Sequence, residues 1–269
     1  MREIFAENIA AAAQKLYIRG ATMLAPDLAM ALECACDAEY EFAARIALAG
    51  MIKNFKETAF KRLTLRRADE FIVFCELGRD TRITGGTLRE AIIEGVFRAR
   101  KSGLLRAGEP ISEEVAAAPE IYLRERSGDE LSMTMAFGSC ESDILSFPET
   151  ADIEEIEDFV VSAAERVSER IVPPLVIGAG IGDTEDAAKK LAKYALYRPV
   201  DTENADPFYA RTERRIKNKI NTLKIGADRL GGKSTALAVN IEAGSESFAP
   251  SFCALNISDH RVLRASCVL

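Results

Sequence analysis

The stretch that most constrains the fold is residues 173–196, which read PPLVIGAGIGDTEDAAKKLAKYAL. Its apolar run from Leu175 to Ile177 predicts a buried strand. The apolar residues and lysines after Asp183 predict a helix with Asp183 as its N-cap. Three glycines lie between the two: Gly178, Gly180 and Gly182. They predict a turn at a helix N-terminus, where free N–H groups attract an anion. A purely structural strand-to-helix turn explains the same glycines.

Two nucleotide-binding motifs resemble parts of this chain but fail on spacing. The dinucleotide fingerprint needs its third glycine where this chain has Asp183. The segment ADRLGGKST ends like a phosphate-binding P-loop, but the first required glycine is Ala227, and Gly226 lies one residue too early. We therefore expect neither a Rossmann cofactor site nor an NTPase.

Composition favours a compact cytoplasmic protein. The 269 residues are 48% hydrophobic, which is enough for one large core or two lobes. The net charge of −7 argues against a nucleic-acid surface, and we see no signal peptide or membrane span. Six cysteines without a C-x-x-C pair indicate reduced thiols. We interpret Cys75 and Cys253 as small buried apolar residues.

Local patterns predict the first half of the secondary structure. Apolar spacing over residues 1–60 predicts a helical N-terminal part of one or two hairpinned helices, with Met30 in the core. Residues 69–78 are rich in β-formers and predict a strand. Thr87 and Glu90 form a capping box for a helix to about residue 102.

Later patterns complete the expected fold. Residues 120–137 predict a β-hairpin with its turn at 127–129, and residues 152–170 predict an acidic amphipathic helix whose charges are solvated. No repeat or long linker divides the chain. We expect one α+β domain over residues 1–269, with helices packed around antiparallel or mixed sheets.

Several long motifs carry a family resemblance. They read FCELGRDTRITGGTLREAIIEGVFRARKSGLLR, PPLVIGAGIGDTEDAAKKLAKYALYRP, ADPFYARTERRIKNKIN, LKIGADRLGGKSTALAVNIE and ALNISDH. In this order they resemble the alpha subunit of the iron–sulfur class I fumarate hydratases and L(+)-tartrate dehydratases, which corresponds to the N-terminal domain of single-chain class I fumarases. The resemblance spans roughly Asn54 to His260. It implies that domain's fold and a hydro-lyase lineage.

The family's cofactor ligands are missing at the matching positions. Class I enzymes hold a four-iron cluster by three cysteines and leave one iron free as a Lewis acid. The corresponding positions here are Leu65, Val172 and Asp259. Leucine and valine offer no ligand atom, so we expect no cofactor, although the family cofactor is a 4Fe–4S cluster.

Some substrate-binding positions match the family and others do not. Arg106 corresponds to a family arginine that binds a substrate carboxylate. Residues 136–142, AFGSCES, lack the lysine of the family's glycine-rich substrate loop, and Ser247 replaces a family histidine. We predict that Arg106, the three glycines and Lys233 bind a carboxylate, although a solvated turn lysine explains Lys233 slightly better.

Other residues offer metal-ligating chemistry without a convergent spacing. They are Cys140, Glu141, Cys253, Asp259 and His260. Adjacent strand residues point to opposite faces, so the spacing does not favour a rebuilt site. His260 fits a structural hydrogen-bonding role, and Arg66 with Arg67 could place positive charge where the family has its first cluster ligand.

Two functions follow from these expectations. The first is a hydro-lyase of the fumarate hydratase or tartrate dehydratase type that acts on or binds a small di- or hydroxycarboxylate, with a degenerate site and unassigned catalytic residues. The second is a cluster-free, non-catalytic paralogue that serves as an anion-binding or subunit-interaction module. The resemblance implies a homodimer and a beta-subunit partner.

Overall fold

The structure is a computed structural model that describes residues 1–58, 71–102, 119–137, 140–146, 152–244 and 252–269. Within these residues the helices are α1 (Ala6–Thr22), α2 (Pro26–Ala38), α3 (Phe42–Thr58), α4 (Leu88–Lys101), α5 (Ile153–Val167), α6 (Glu185–Tyr197) and α7 (Pro207–Thr222). The strands are β1 (Arg2–Phe5), β2 (Phe71–Gly78), β3 (Thr81–Thr84), β4 (Glu120–Arg126), β5 (Leu131–Phe137), β6 (Glu141–Ser146), β7 (Leu175–Gly182), β8 (Ala236–Ala243), β9 (Phe252–Asp259) and β10 (Leu263–Val268). The predicted α+β class is confirmed, and no helix in the described ranges has the length and apolar character of a membrane span.

The chain divides into two compact units. The first comprises Met1–Ala25, Phe55–Gly138 and Leu263–Leu269, and the second comprises Pro26–Asn54 and Ser139–Val262. The single domain that the sequence analysis expects over residues 1–269 stays a prediction.

A four-stranded mixed sheet organises the first unit. Its strand order is β10-β5-β2-β4, with β2 parallel to β4 and antiparallel to β5. Tyr17 of α1 lies in the core against Phe71 and Phe137, with ring centroids 5.2 and 5.3 Å away. Helix α4 contributes Ile92 and Val96 to the same core. One sheet face and two helices thus bury a common apolar cluster.

The predicted hairpin of β4 and β5 is wrong. Both strands form, but β2 lies between them: Cys75 of β2 pairs with Leu123 of β4 on one side and with Met133 of β5 on the other. The short link at 127–130 therefore connects two strands that do not pair. Both neighbours of a buried central strand gain hydrogen bonds and apolar contacts from it, which a local hairpin pattern does not reveal.

The helix predicted after residue 87 is confirmed at its start. The Glu90 N–H donates to the Thr87 hydroxyl at 3.2 Å, and the Thr87 N–H donates to the Glu90 carboxylate at 3.2 Å. These reciprocal bonds satisfy two N–H groups that a helix start leaves open.

A three-layer arrangement organises the second unit. Its sheet has the order β6-β9-β7-β8, in which β7 is parallel to β8 and antiparallel to β9. Leu175 and Ile177 of β7 share a core with Ile156 of α5 and Ile216 of α7. Successive residues of a strand face opposite sides of the sheet. The other face of β7 carries Gly178, Gly180 and Gly182 and packs against α6. Both faces of β7 are therefore covered by helices.

The N-terminal part is helical as predicted but has three helices rather than one or two. Met30 is 52% exposed, so its predicted core position is wrong. The face of α2 that carries Leu28 and Leu32 is buried instead.

The acidic helix predicted for residues 152–170 forms as α5, with Asp152 as its N-cap. Its charges are not all solvated. Glu157 is fully buried and pairs with Arg215 and with Lys219, whose Nζ lies 2.8 Å from its carboxylate. Glu157 of α5 thus forms ion pairs with two residues of α7.

Candidate functional site

Two of the positions that the resemblance assigns to cluster cysteines lie towards one end of the second unit's sheet. Leu175, the first residue of β7, pairs with Asp259, the last residue of β9. Val172 lies three residues before Leu175 in the chain. The remaining position, Leu65, lies outside the described residues, as do Arg66 and Arg67.

The side chains at this end of the sheet do not fit a cluster held by thiolates. Val172 has no ligand atom. The Asp259 carboxylate accepts hydrogen bonds from the Arg261 N–H and from the Arg261 Nε, both at 2.8 Å. A carboxylate engaged by a guanidinium is a poor substitute for a soft thiolate ligand. The donor set seen here therefore differs from the one that the family cofactor requires.

His260 is buried beside this ion pair, with 7% of its surface exposed. Burial is the largest cause that lowers the pKa of His260, and Arg261 acts in the same direction, while Asp259 and Asp228 oppose it. Burial therefore favours the neutral form of the imidazole. This fits the structural role suggested by the sequence.

The structure does not bring the other metal-ligand candidates to one point. Cys253 and Asp259 lie six residues apart on β9, which is roughly 20 Å along an extended strand. Within the residues that the structure describes, no three histidine, cysteine, aspartate or glutamate side chains are grouped for a metal. Cys75 and Cys253 are fully buried, as predicted. Burial raises the pKa of each thiol to about 12.

A strained loop borders this end of the sheet. Lys224, Asp228 and Arg229 have φ angles of 56°, 53° and 59°, a region that non-glycine residues seldom adopt. The Arg229 Nε donates to the Ser168 carbonyl at 2.5 Å, and the Asp228 N–H donates to the Pro173 carbonyl at 3.0 Å. These bonds hold the loop against the segment before β7, which is how strained backbone persists.

The predicted glycine turn is wrong. The three glycines lie within β7, which is buried along its whole length. A Cβ at Gly178 would lie 2.2 Å from the Leu196 backbone nitrogen, and a Cβ at Gly180 would lie 2.0 Å from the Ala188 carbonyl oxygen. The glycines thus allow α6 to pack directly on the strand. The helix N-cap is Thr184 rather than Asp183.

This placement weakens the predicted anion site at the glycines. Gly178 is paired with Asn240 of β8 and with Asn256 of β9. An amide within a strand pairing is not offered to a ligand as it is at a helix N-terminus. Arg106 and Ser247 lie outside the described residues.

Lys233 lines a pocket of about 460 Å³ in the second unit. The pocket lies between α2, the C-terminal part of α7, the segment after α6 and the start of β8. It has apolar walls from Met30, Ala31, Ala35, Ala38, Val200 and Leu237. Its chemistry comes from two lysines and two carboxylates: Lys217, Lys233, Asp27 and Asp201. Mostly apolar walls with a few polar groups are typical of small-molecule sites.

A buried carboxylate fixes the turn that carries Lys233. Glu39, 3% exposed, accepts hydrogen bonds from the Lys233 N–H at 3.1 Å and from the Ser234 hydroxyl at 2.7 Å. A Cβ on Gly232, whose φ is 90°, would lie 2.5 Å from Glu39 Oε1. Asn221 accepts the N–H groups of Thr235 and Ala236 at 3.0 and 2.8 Å. The pocket wall at the start of β8 is therefore preorganised.

Lys217 was missed by sequence reasoning. It lies on α7 beside Ile216, which is fully buried, and one turn before Asn221. Burial lowers the pKa of the Lys217 amine below its ordinary value. The polar i, i+4 pair of Lys217 and Asn221 on a helix that also buries Ile216 was the available signal. Asp27 and Asp201 carry no such signal in the sequence, because aspartates are common at helix starts and in loops.

The comparisons with known proteins agree with the sequence motifs. The fumarate hydratase (Fumerase) family matches residues 10–266. A putative L(+)-tartrate dehydratase subunit alpha from Methanocaldococcus jannaschii is 30% identical over 255 residues, covering 85% of this chain and 86% of the relative. The L(+)-tartrate dehydratase subunit alpha of Escherichia coli strain K12 is 23% identical over 239 residues, covering 83% of this chain and 78% of the relative. The chain therefore belongs to the fumarate hydratase (Fumerase) family of hydro-lyases.

Proposed function

We propose that this chain is a degenerate hydro-lyase that binds a small di- or hydroxycarboxylate without an iron–sulfur cluster. The observation that carries the proposal is the end of the β7–β9 pairing, where Asp259 is paired with Arg261 and Val172 offers no ligand atom. A cluster requires thiolates at converging positions. The described residues at these positions supply none.

The relatives are named as subunits of a dehydratase. A dehydratase removes water from its substrate: one carbon loses its hydroxyl group and the neighbouring carbon loses a proton. An iron–sulfur cluster, where a family member holds one, would polarise that hydroxyl. Here His260 is buried, and burial lowers its pKa below the ordinary value. Asp259 is engaged by Arg261. Neither residue is poised for acid–base work on a ligand, so we assign carboxylate binding to the chain and no turnover.

Arg106 and Lys233 are the proposed carboxylate ligands. Arg106 matches the family's substrate arginine, and a guanidinium binds a carboxylate in a bidentate manner. Lys233 is supported by its place in the pocket and by the hydrogen bonds that hold its backbone. Gly178, Gly180 and Gly182 are left out, because their place within β7 explains them by packing.

Partner subunits are part of the proposal. Both relatives are named as alpha subunits of a tartrate dehydratase. We propose that this chain also associates with a beta-type subunit and that it forms a homodimer. Light scattering after size-exclusion chromatography tests the homodimer, which predicts twice the chain mass.

Calorimetry and an activity assay on one preparation test the proposed function. The full chain is titrated with L(+)-tartrate, L-malate and fumarate, and the same acids are assayed for hydration or dehydration. We expect binding of at least one acid and no turnover. Arg106→Met should weaken that binding, whereas Arg211→Met, at an exposed position of α7, should leave it unchanged. Turnover by the isolated chain, or no binding of any acid, contradicts the proposal.

A further inference from the structure

Lys217 is a half-buried lysine in the lining of the pocket. Among the described residues its amine makes no hydrogen bond or ion pair, and burial lowers the pKa of that amine. An amine removed from water is stabilised in its charged form by a nearby anion. The pocket that Lys217 lines is the place from which such an anion can reach it.

Lys233 supplies a second cation, on a turn whose backbone is held. Its backbone N–H is held by Glu39, and its Nζ lies 5.7 Å from the centroid of the Tyr40 ring. The hydrogen bond fixes the backbone of Lys233, which lines the same pocket as Lys217. Two lysines in one pocket lining suit a ligand with two anionic groups.

Asp201 supplies an anion on another wall of the pocket. The Asp27 carboxylate accepts the Val200 N–H at 2.9 Å and so fixes the residue next to Asp201. The Asp201 carboxylate itself makes no hydrogen bond or ion pair among the described residues. A carboxylate in the lining of a ligand-sized pocket favours a cationic donor over a second carboxylate.

We propose that this pocket binds a small amino dicarboxylate of the size of aspartate. Lys217 and Lys233 pair with its two carboxylates, and Asp201 pairs with its ammonium group. The inference deepens the proposed function, because it rests on Lys233 as a carboxylate ligand and names the group that the ligand carries beside its carboxylates. The volume of about 460 Å³ accommodates such a molecule with part of its hydration.

A matched series of ligands tests the ammonium. The full chain is titrated by calorimetry with L-aspartate, L-malate and succinate, which carry an ammonium, a hydroxyl or a hydrogen at the same carbon. We expect aspartate to bind at least about tenfold more tightly than malate and succinate. Malate or succinate binding as tightly as aspartate overturns the inference and leaves the proposed function intact. Binding of aspartate with no binding of any di- or hydroxycarboxylate supports the inference and contradicts the proposed function.

Matched variants test the residues. Lys217→Met, Lys233→Met and Asp201→Asn should each weaken aspartate binding by about tenfold or more. Lys189→Met and Asp183→Asn change exposed residues of the β7–α6 region and should leave binding unchanged. Circular dichroism checks the fold of each variant. If a lysine variant is unfolded, Asp201→Asn decides, because Asp201 is exposed, and unchanged aspartate affinity in this variant overturns the inference.

Cys34 provides an independent readout, because it is exposed and lines the same pocket. Aspartate should slow the maleimide labelling of Cys34 in the full chain, with labelled peptides identified by mass spectrometry. Cys36, on the same helix but outside the pocket lining, is the internal control. Equal labelling rates with and without saturating aspartate overturn the inference.

Discussion

The guanidinium of Arg261 holds the carboxylate of Asp259, with Arg261 Nε 2.8 Å from Asp259 Oδ2. The backbone N–H of Arg261 donates to the other carboxylate oxygen at 2.8 Å. Both oxygens are therefore engaged at a position where the family resemblance places a cluster cysteine. The proposed loss of the cluster rests on this ion pair at Asp259 and on Val172, which has no ligand atom in its side chain.

Gly180→Ala should destabilise the chain severely. The new Cβ would lie 2.0 Å from the Ala188 carbonyl oxygen and 2.2 Å from the Ala192 nitrogen, both backbone atoms of α6 that cannot move aside. We expect a loss of more than about 3 kcal/mol in the free energy of unfolding, measured in urea. Gly50→Ala is the matched control, because a Cβ there meets no atom within 4 Å. It should stabilise α3 by about 0.5–1 kcal/mol. Equal effects of the two changes would contradict the packing described for β7 and α6.

Glu39→Ala should destabilise the turn at the start of β8. The change leaves the Lys233 N–H and the Ser234 hydroxyl without their acceptor. We expect a cost of about 2–4 kcal/mol in urea denaturation. Glu41→Ala removes an exposed neighbour with the same charge and should cost less than about 0.5 kcal/mol. A cost below about 1 kcal/mol for Glu39→Ala would show that this carboxylate does not fix the pocket wall.

Glu213→Gln should cost far more stability than a matched surface change. Glu213 pairs with Arg198 in the interior, with side-chain exposures of 9% and 13%, and accepts the Ile241 N–H at 2.7 Å. Removing one charge of a buried pair costs about 3 kcal/mol. Glu203→Gln breaks the surface pair of Glu203 and Arg214, whose side chains are 75% and 57% exposed, respectively. It should lower the free energy of unfolding by less than about 1 kcal/mol. Chemical denaturation of both variants measures the difference in their free energies of unfolding. Similar losses in the two variants would contradict a stabilising role for the buried Glu213 carboxylate.

Lys217 should make the stability of the chain rise with pH. Burial places the pKa of Lys217 in the folded state below its ordinary value of 10.5. Between these two pKa values the unfolded chain binds more protons, so the penalty is full below the folded pKa and disappears as pH rises through 10.5. Asp27, Asp201, Lys233 and Cys34 line the same pocket as Lys217.

Lys217→Met removes this penalty, so its stability gain over the wild type should shrink from pH 7 to pH 10.5. The comparison is made by urea denaturation without ligand. Lys189→Met, at an exposed position, should show no such trend. A gain that stays constant with pH would mean that the Lys217 amine is as well solvated in the folded chain as in the unfolded one.

Local signals in the sequence were sufficient for the elements whose causes are local. The Thr87–Glu90 capping box predicted the start of α4, and β-forming residues predicted β2. The hairpin of β4 and β5 was wrong, because the strand inserted between them comes from a distant part of the chain. The glycines of β7 were wrongly predicted as a turn for the same reason, because the packing of α6 against them is decided by tertiary structure.

The candidate pocket was predictable only in part. Lys233 was found through a motif, whereas Lys217 and Asp201 become neighbours of Lys233 only when α7, the segment after α6 and β8 are assembled. The changes at Val172 and Asp259 were readable from the sequence by comparison with the family pattern. The ion pair with Arg261 was not, because it depends on the backbone turn after β9.

The proposed absence of an iron–sulfur cluster is tested by measuring iron and acid-labile sulfide per chain after anaerobic purification and attempted cluster reconstitution. We expect neither element to exceed the level in a matched Asp259→Ala preparation, because Val172 and Asp259 supply no thiolate. About four irons and four sulfides per chain, with the broad visible absorption of an iron–sulfur cluster, would contradict this expectation.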